Sequence, residues 1–259
     1  MKINPLRAKL QKGETIYGTM LRDFTTSPEI CEFLSRAGFD YVIVDGEHSP
    51  CGYETINQLV LASRPAGVAF LARVSDATYT LVARMLDTGV EGIMAPRVED
   101  KKTVEEVVAA AKYPPIGRRG FGLRDFHLGD KPVAIPEAIA HFNENTVVII
   151  QIESQKALDN LDEMLSVPGV DVALVGPTDL SISLGCPGES EHPRMEEALQ
   201  HVVAVCQRKG VAPGVHFPVF ELSKKWHAKG MRFVMCSSDG ALFNQAAKEL
   251  ARKLRSELL

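Results

Sequence analysis

Short runs rich in β-branched and apolar residues alternate along the chain with amphipathic stretches of helix length, and this alternation is the strongest pattern in the sequence. The runs that read as strands are 15–19, 41–45, 69–73, 92–95, 147–152, 172–175, 211–215 and 233–235. Helical patterns at 28–37, 53–63, 77–87, 104–112, 156–165, 194–208, 219–229 and 241–258 separate and follow them. Gly38, Gly89, Gly169, Gly210 and Gly230 stand just past several of these helices, where a left-handed terminal residue is favoured. Near-continuous apolar strands alternating with helices make a parallel sheet covered by those helices. Eight such units predict an α/β fold, the closed (β/α)8 TIM barrel, whose usual length is about 250 residues. The chain has 259 residues and no Gly/Ser linker or shift in composition, so one barrel domain over 1–259 is expected.

Two segments stand out from the alternation. The interval 113–145, which contains YPPIGRRGFGLRDFHLGD, reads as a long loop after the fourth unit, placed across the barrel mouth as a lid or against another subunit. The last helix spaces Leu242, Ala246, Leu250, Leu254 and Leu258 at i, i+4, with Lys248, Arg252, Lys253 and Arg255 elsewhere around it, as a barrel helix with one buried stripe would.

Composition narrows the function classes. With 29 Lys and Arg against 33 Asp and Glu the net charge is −4, which argues against a nucleic-acid partner and for small-molecule chemistry. No apolar run approaches the ~20 residues that span a bilayer, and the N-terminus lacks the apolar core of a secretory signal, so no membrane association is expected. Five widely spaced cysteines without a C-x-x-C pair suit a reduced, cytoplasmic protein.

A barrel builds its site at the C-terminal ends of its strands, so the polar residues there carry the chemistry. Strand two leads into Asp45-Gly46-Glu47-His48, strand three ends on Arg73, and strand five ends in Gln151-Ile152-Glu153. Strand six opens into Gly176-Pro177-Thr178-Asp179, strand seven leads to His216, and strand eight reaches Ser237-Ser238-Asp239. Glu153 and Asp179 follow adjacent strands. Two hard carboxylates without a His or Cys cluster suit Mg2+ or Mn2+, while the same residues serve equally well as helix caps. The short Asp45–His48 spacing lets a carboxylate orient and charge an imidazole for general-base work, or simply builds a turn. Arg73, ending an apolar strand, suits a carboxylate or a developing enolate oxygen. The Gly176-Pro177 turn leaves backbone amides at a helix start, where anions bind. No strand run contains or ends on a lysine, which argues against a Schiff-base mechanism, and Gly117–Gly122 (GRRGFG) matches neither the P-loop nor the dinucleotide fingerprint.

Together these stretches resemble the HpcH/HpaI aldolase/citrate lyase family, which includes metal-dependent (class II) pyruvate aldolases such as 2,4-dihydroxyhept-2-enedioate and 2-dehydro-3-deoxyglucarate aldolases. The resemblance rests on GFDYVIVDGEHSP (38–50), LARVSD (71–76), LDTGVEGIMAPRVED (86–100), YPPIGRRGFG (113–122), VVIIQIES (147–154) and GVDVALVGPTDLSISLG (169–185), with a weaker match at SSDGALF (237–243). It implies a divalent cation (Mg2+ or Mn2+, with Co2+ a further candidate) held by Glu153 and Asp179. It also implies a catalytic His48 paired with Asp45, Arg73 on the keto or enolate oxygen, Gln151 beside the metal, and the Gly176–Asp179 backbone on the substrate carboxylate. The implied reaction is reversible retro-aldol cleavage of a 4-hydroxy-2-oxo acid to pyruvate, or a close analogue, and an aldehyde. A homohexamer that exchanges its last helix, with Asp87 at a neighbour's site, is implied likewise. The alternatives are a lyase acting on another pyruvate-like enolate or an acyl-CoA, as in the citrate lyase β type, and a non-catalytic barrel that binds an oxo acid. His216 and the GCPGESEHP segment (185–193) depart from the family pattern and bear on aldehyde specificity.

Overall fold

A computed structural model describes residues 1, 3–23, 27–129 and 132–258 of the chain. Eight parallel strands close into a barrel in sequence order: β1 (Ile16–Leu21), β2 (Tyr41–Asp45), β3 (Ala69–Arg73), β4 (Gly92–Ala95), β5 (Val147–Ile152), β6 (Val172–Val175), β7 (Ala212–Phe217) and β8 (Phe233–Ser238), with β8 pairing back onto β1. The (β/α)8 expectation holds. β1, β7 and β8 run past expectation, and the last two extend far enough to carry His216 and Ser237 within the barrel wall itself.

Side-chain alternation explains both the core and the site. Successive strand residues face opposite sides. Tyr41, Ile43, Leu71, Val147, Ile149, Leu174, Phe233 and Met235 therefore fill the barrel, while Val42, Val44, Phe70, Val148, Ile150 and Ala173 pack outward beneath the helices. Continuing each inward series to the C-terminal end of its strand gives Asp45, Arg73, Gln151 and then Glu153, His216 and Ser237. The inward face thus changes from apolar to polar at one end of the barrel. The opposite end is closed by the helix Pro5–Gln11, whose Leu6 is fully buried in the barrel cluster. Its cap Asn4 donates from Nδ2 to the carbonyls of Glu91 and Asn145, tying it to the starts of β4 and β5.

Three sequence readings are corrected. The interval 113–145 holds two helices, Asp125–Leu128 and Ile135–Asn145, the second opened by a proline in its first turn; residues 130 and 131 lie outside the described residues. It is not a lid. It leaves the C-terminal end of the helix Lys101–Ala111, runs along the outer helices and returns to the start of β5, with Gly120 N–H donating to Tyr79 Oη and Arg119 bonded to Asp87 at 2.7 Å. The last helix, Asp239–Glu257, is not a packed barrel helix: beyond Asp239 none of its residues is buried, and Phe243, Leu250 and Leu254 face solvent on this chain. The 156–165 pattern divides at Asn160 into Gln155–Asp159 and Leu161–Met164.

A buried lysine anchors the 113–145 segment. Lys112 is 1% exposed, and its Nζ donates to the carbonyls of Asn143 (2.8 Å) and Thr146 (2.6 Å). Burial pushes its pKa from 10.5 down to about 8, against the pull of Asp171. Between those two values the unfolded chain keeps a proton that the folded one has released, so stability rises with pH across that window. Thermal unfolding of wild type and Lys112→Met should therefore diverge in favour of wild type from pH 7.5 to 10, by up to about 3 kcal/mol. A constant difference would contradict this.

Candidate active site

The polar rim converges on one ion-pair network. Asp45, fully buried, accepts two parallel bonds from Arg73, Nε to Oδ1 at 2.9 Å and Nη2 to Oδ2 at 2.7 Å. The barrel register sets this pair directly opposite across β2 and β3. Asp45 Oδ1 also accepts the amides of Glu47 (3.0 Å) and His48 (3.1 Å), so one carboxylate shapes the turn that presents the histidine. Gly46 is required here, since a Cβ would stand 2.4 Å from the Arg73 carbonyl oxygen. Burial alone would raise the Asp45 carboxyl, but the bonds and charge of Arg73 and the two amides outweigh it and hold it below its ordinary value.

The Asp45–His48 pairing expected from sequence takes a different form. The Asp45 carboxylate is occupied by Arg73 and backbone amides, and the carboxylate nearest the His48 ring is Glu47, 3.8 Å from Nε2. Glu47 is half-buried with its side chain turned inward, 3.3 Å from Arg73 Nη1 and paired with Arg97. Asp45 therefore positions His48 through the backbone, and Glu47 supplies the neighbouring charge. Arg73 retains N–H groups on both terminal nitrogens beyond these bonds.

Glu153 and Asp179 come together on the other side. Both line a cavity of about 440 Å3 with Glu47, His48 and Arg97. Burial raises the Glu153 pKa to about 6; an amide bond from Arg97 (3.0 Å) opposes this and the Asp179 charge adds to it. A buried Glu153 carboxyl that burial disfavours as an anion, with the exposed Asp179 carboxylate beside it, fits a divalent cation, whose charge removes that penalty. Gly176 deepens the cleft: a Cβ there would meet Glu153 Oε1 at 2.6 Å and Gln151 Nε2 at 2.8 Å. The Gln151 Oε1 is buried with no hydrogen-bond partner among the described residues, which leaves it open to a ligand donor. Gly176→Ala should accordingly raise KM for the oxo acid at least tenfold, with a smaller effect on Tm; steady-state kinetics beside thermal unfolding would check this, and an unchanged KM would refute it.

The expected carboxylate cradle is narrower than 176–179. The Gly176 amide donates to the Ile152 carbonyl at 3.1 Å and Pro177 has no N–H, so Thr178 and Asp179 provide the first-turn amides of the helix Pro177–Ser183. A second cavity, of about 310 Å3, joins these residues to His48, Arg73, Gln151, His216, Arg22 and Ser237. Among the described residues, none of 113–145 or 185–193 lines either cavity. Arg118 stacks on Tyr79 and pairs with Glu106 on the outer flank, and so offers no nucleotide cradle at the mouth.

Sequence reasoning missed Arg97, Arg22 and the structural part played by Glu47. Arg97 stands two residues past the end of the apolar β4, which was the available signal, but its left-handed backbone (φ 51°), which aims the amide at Glu153, leaves no trace in composition.

Comparison with known proteins supports the fold and gives the family. The HpcH/HpaI aldolase/citrate lyase family model matches residues 20–246. The chain belongs to that family. A 5-keto-4-deoxy-D-glucarate aldolase of Klebsiella pneumoniae is 33% identical over 225 residues, covering 87% of each chain. Among solved structures, an HpcH/HpaI aldolase from Desulfitobacterium hafniense superposes with a TM-score of 0.91 at 35% identity over 96% of both chains. A citrate synthase, SbnG, gives a TM-score of 0.85 at 26% identity, covering 97% of this chain and 98% of that one. Family membership over most of the barrel makes the rim network the place to look for lyase chemistry.

Proposed function

We propose that the protein is a class II pyruvate aldolase, a carbon–carbon lyase that cleaves a 4-hydroxy-2-oxo acid reversibly to pyruvate, or a close analogue, and an aldehyde. The observation that carries this reading is the facing arrangement of a buried Asp45–Arg73 pair and the Glu153–Asp179 cleft, with His48 lining both cavities between them. Glu153 and Asp179 would hold the divalent cation, Mg2+ or Mn2+, which supplies Lewis-acid stabilisation of the oxo acid.

The chain's own residues account for the remaining roles. The amides of Thr178 and Asp179 receive the substrate carboxylate at a helix start. Gln151, beside the cleft, orients the oxo acid through the N–H groups of its carboxamide, because the keto and carboxylate oxygens only accept. His48 removes the 4-hydroxyl proton; that oxygen becomes the aldehyde carbonyl as the C3–C4 bond breaks, and the electron pair passes through C3 to the C2 oxygen. Arg73, locked by Asp45 and Glu47, donates to that oxygen as enolate charge develops, so no reorganisation accompanies the step. In the synthetic direction the same groups act in reverse.

The Klebsiella relative is named for a sugar diacid, and a second carboxylate on the substrate of this chain would meet Arg22 at the rim. The exposed apolar stripe of Asp239–Glu257 supports a homo-oligomer, a hexamer by family resemblance, in which a second copy covers that helix. Among the described residues no helix is long and apolar enough to cross a membrane, and we read the working compartment as the cytoplasm from cysteine usage. Incubation of pyruvate with a panel of aldehydes should give carbon–carbon bond formation that requires Mg2+ or Mn2+ and stops with a chelator. A rate that survives chelation would overturn the class II reading.

A further inference from the structure

His216 stands inside the wall of β7, at the end of an inward series that is otherwise small, Ala212 and Gly214. Its Nε2 lies 3.1 Å from the carbonyl oxygen of Ser237. A carbonyl only accepts, so Nε2 carries the hydrogen and a neutral ring presents a lone pair on Nδ1. The carbonyl is fixed in place: Ser237 is 9% exposed and holds a left-handed backbone (φ 64°), which L side chains rarely adopt. His216 lines the cavity of about 310 Å3 with Arg22, Arg73 and His48. The two arginines are donors only, so a substrate hydroxyl proton needs a separate acceptor; Gln151 and Asp179 offer acceptors on the β5 and β6 side of this cavity, and His216 offers one on the β7 side.

Building on the aldolase reading, we propose that His216 is a specificity-determining residue for the aldehyde half of the substrate, its Nδ1 accepting a hydrogen bond from a hydroxyl on that fragment. The preferred aldehydes are then hydroxyaldehydes rather than plain alkyl aldehydes of the same length. The ring stays neutral under working conditions: burial lowers its pKa to about 4, with Arg73 and Arg22 adding to the effect and the Ser237 bond and Asp45 opposing it. A protonated imidazole would have no acceptor to offer. A site built to bind a hydroxyl discriminates strongly against the analogue that lacks it, because the buried acceptor is then left unpaired.

The test is the ratio of kcat/KM for glycolaldehyde over acetaldehyde, each condensed with pyruvate in the presence of Mg2+, in wild type and in His216→Leu. The difference in intrinsic reactivity of the two aldehydes cancels between the proteins. The wild-type ratio should exceed that of His216→Leu at least tenfold. Ratios within twofold of each other would overturn the proposal. His216→Met provides the same comparison should the leucine variant not fold. Exchange of pyruvate methyl protons in the wild type, in which no aldehyde takes part, separates the two claims: exchange with an unmoved ratio removes the His216 role alone, whereas no exchange with any divalent cation removes the aldolase reading and this inference with it.

Discussion

Arg73→Ala should lower kcat for pyruvate aldol chemistry by about three orders of magnitude, the scale seen when a preorganised donor to a developing oxyanion is removed. Stability should fall as well. Arg73 is the bidentate partner of a fully buried carboxylate, and its loss leaves Asp45 charged and unpaired in the barrel, a change that costs about 3–5 kcal/mol where it is not relieved. Burial then prevails over the remaining amide bonds, the Asp45 pKa rises, and the turn that carries His48 loses its anchor. Arg73→Lys keeps a charge but not the two parallel bonds, so it should recover more of the stability than of the rate. Steady-state kinetics and thermal unfolding of both variants would check this ordering. A kcat within tenfold of wild type for the alanine variant would remove Arg73 from the chemistry.

Glu153→Gln should move activity and stability in opposite directions. Replacing a carboxylate of the cleft with its neutral isostere should weaken Mg2+ or Mn2+ binding at least a hundredfold and abolish turnover. Without a cation, the same change should stabilise the protein at neutral pH. The Glu153 pKa is raised to about 6, chiefly by burial. The folded state therefore holds that proton more tightly than the unfolded chain, and stability is lost as pH rises from the unfolded value through 6. The glutamine never ionises, which should leave the variant about 2 kcal/mol more stable than wild type above pH 7 in a chelator. Added Mn2+ should raise the wild-type Tm and leave the variant's unmoved. Equal cation-induced shifts in the two proteins would show that Glu153 is not a ligand.

The difference between what the sequence disclosed and what it concealed has a physical pattern. The barrel was legible because strands such as Val147–Ile152 are apolar on both faces, as only a covered parallel sheet requires. Asp45, Arg73, Gln151 and Glu153 were legible because a polar residue at the end of such a strand has few structural uses. What escaped depended on conformation or on distant packing. The helix Ile135–Asn145 lay within a segment whose prolines and glycines signal loops, and tertiary bonds to Asn143 decide its place. The pairing of Asp45 with Arg73 rather than with the His48 ring is a matter of β2–β3 register, which residue spacing along the chain does not encode. Arg97 was hidden by its left-handed backbone, and the exposure of the last helix by an amphipathic spacing that reads the same for a stripe buried within the barrel.

The most direct test of the central claim is exchange of the pyruvate methyl protons for deuterium, followed by NMR, because it isolates enolate formation from any choice of aldehyde. Wild type should exchange in the presence of Mg2+ or Mn2+, stop when the cation is chelated, and slow by at least a hundredfold in Arg73→Ala. Exchange that persists in a chelator, or none with any divalent cation, would contradict the assignment of this rim as a cation-dependent enolate site.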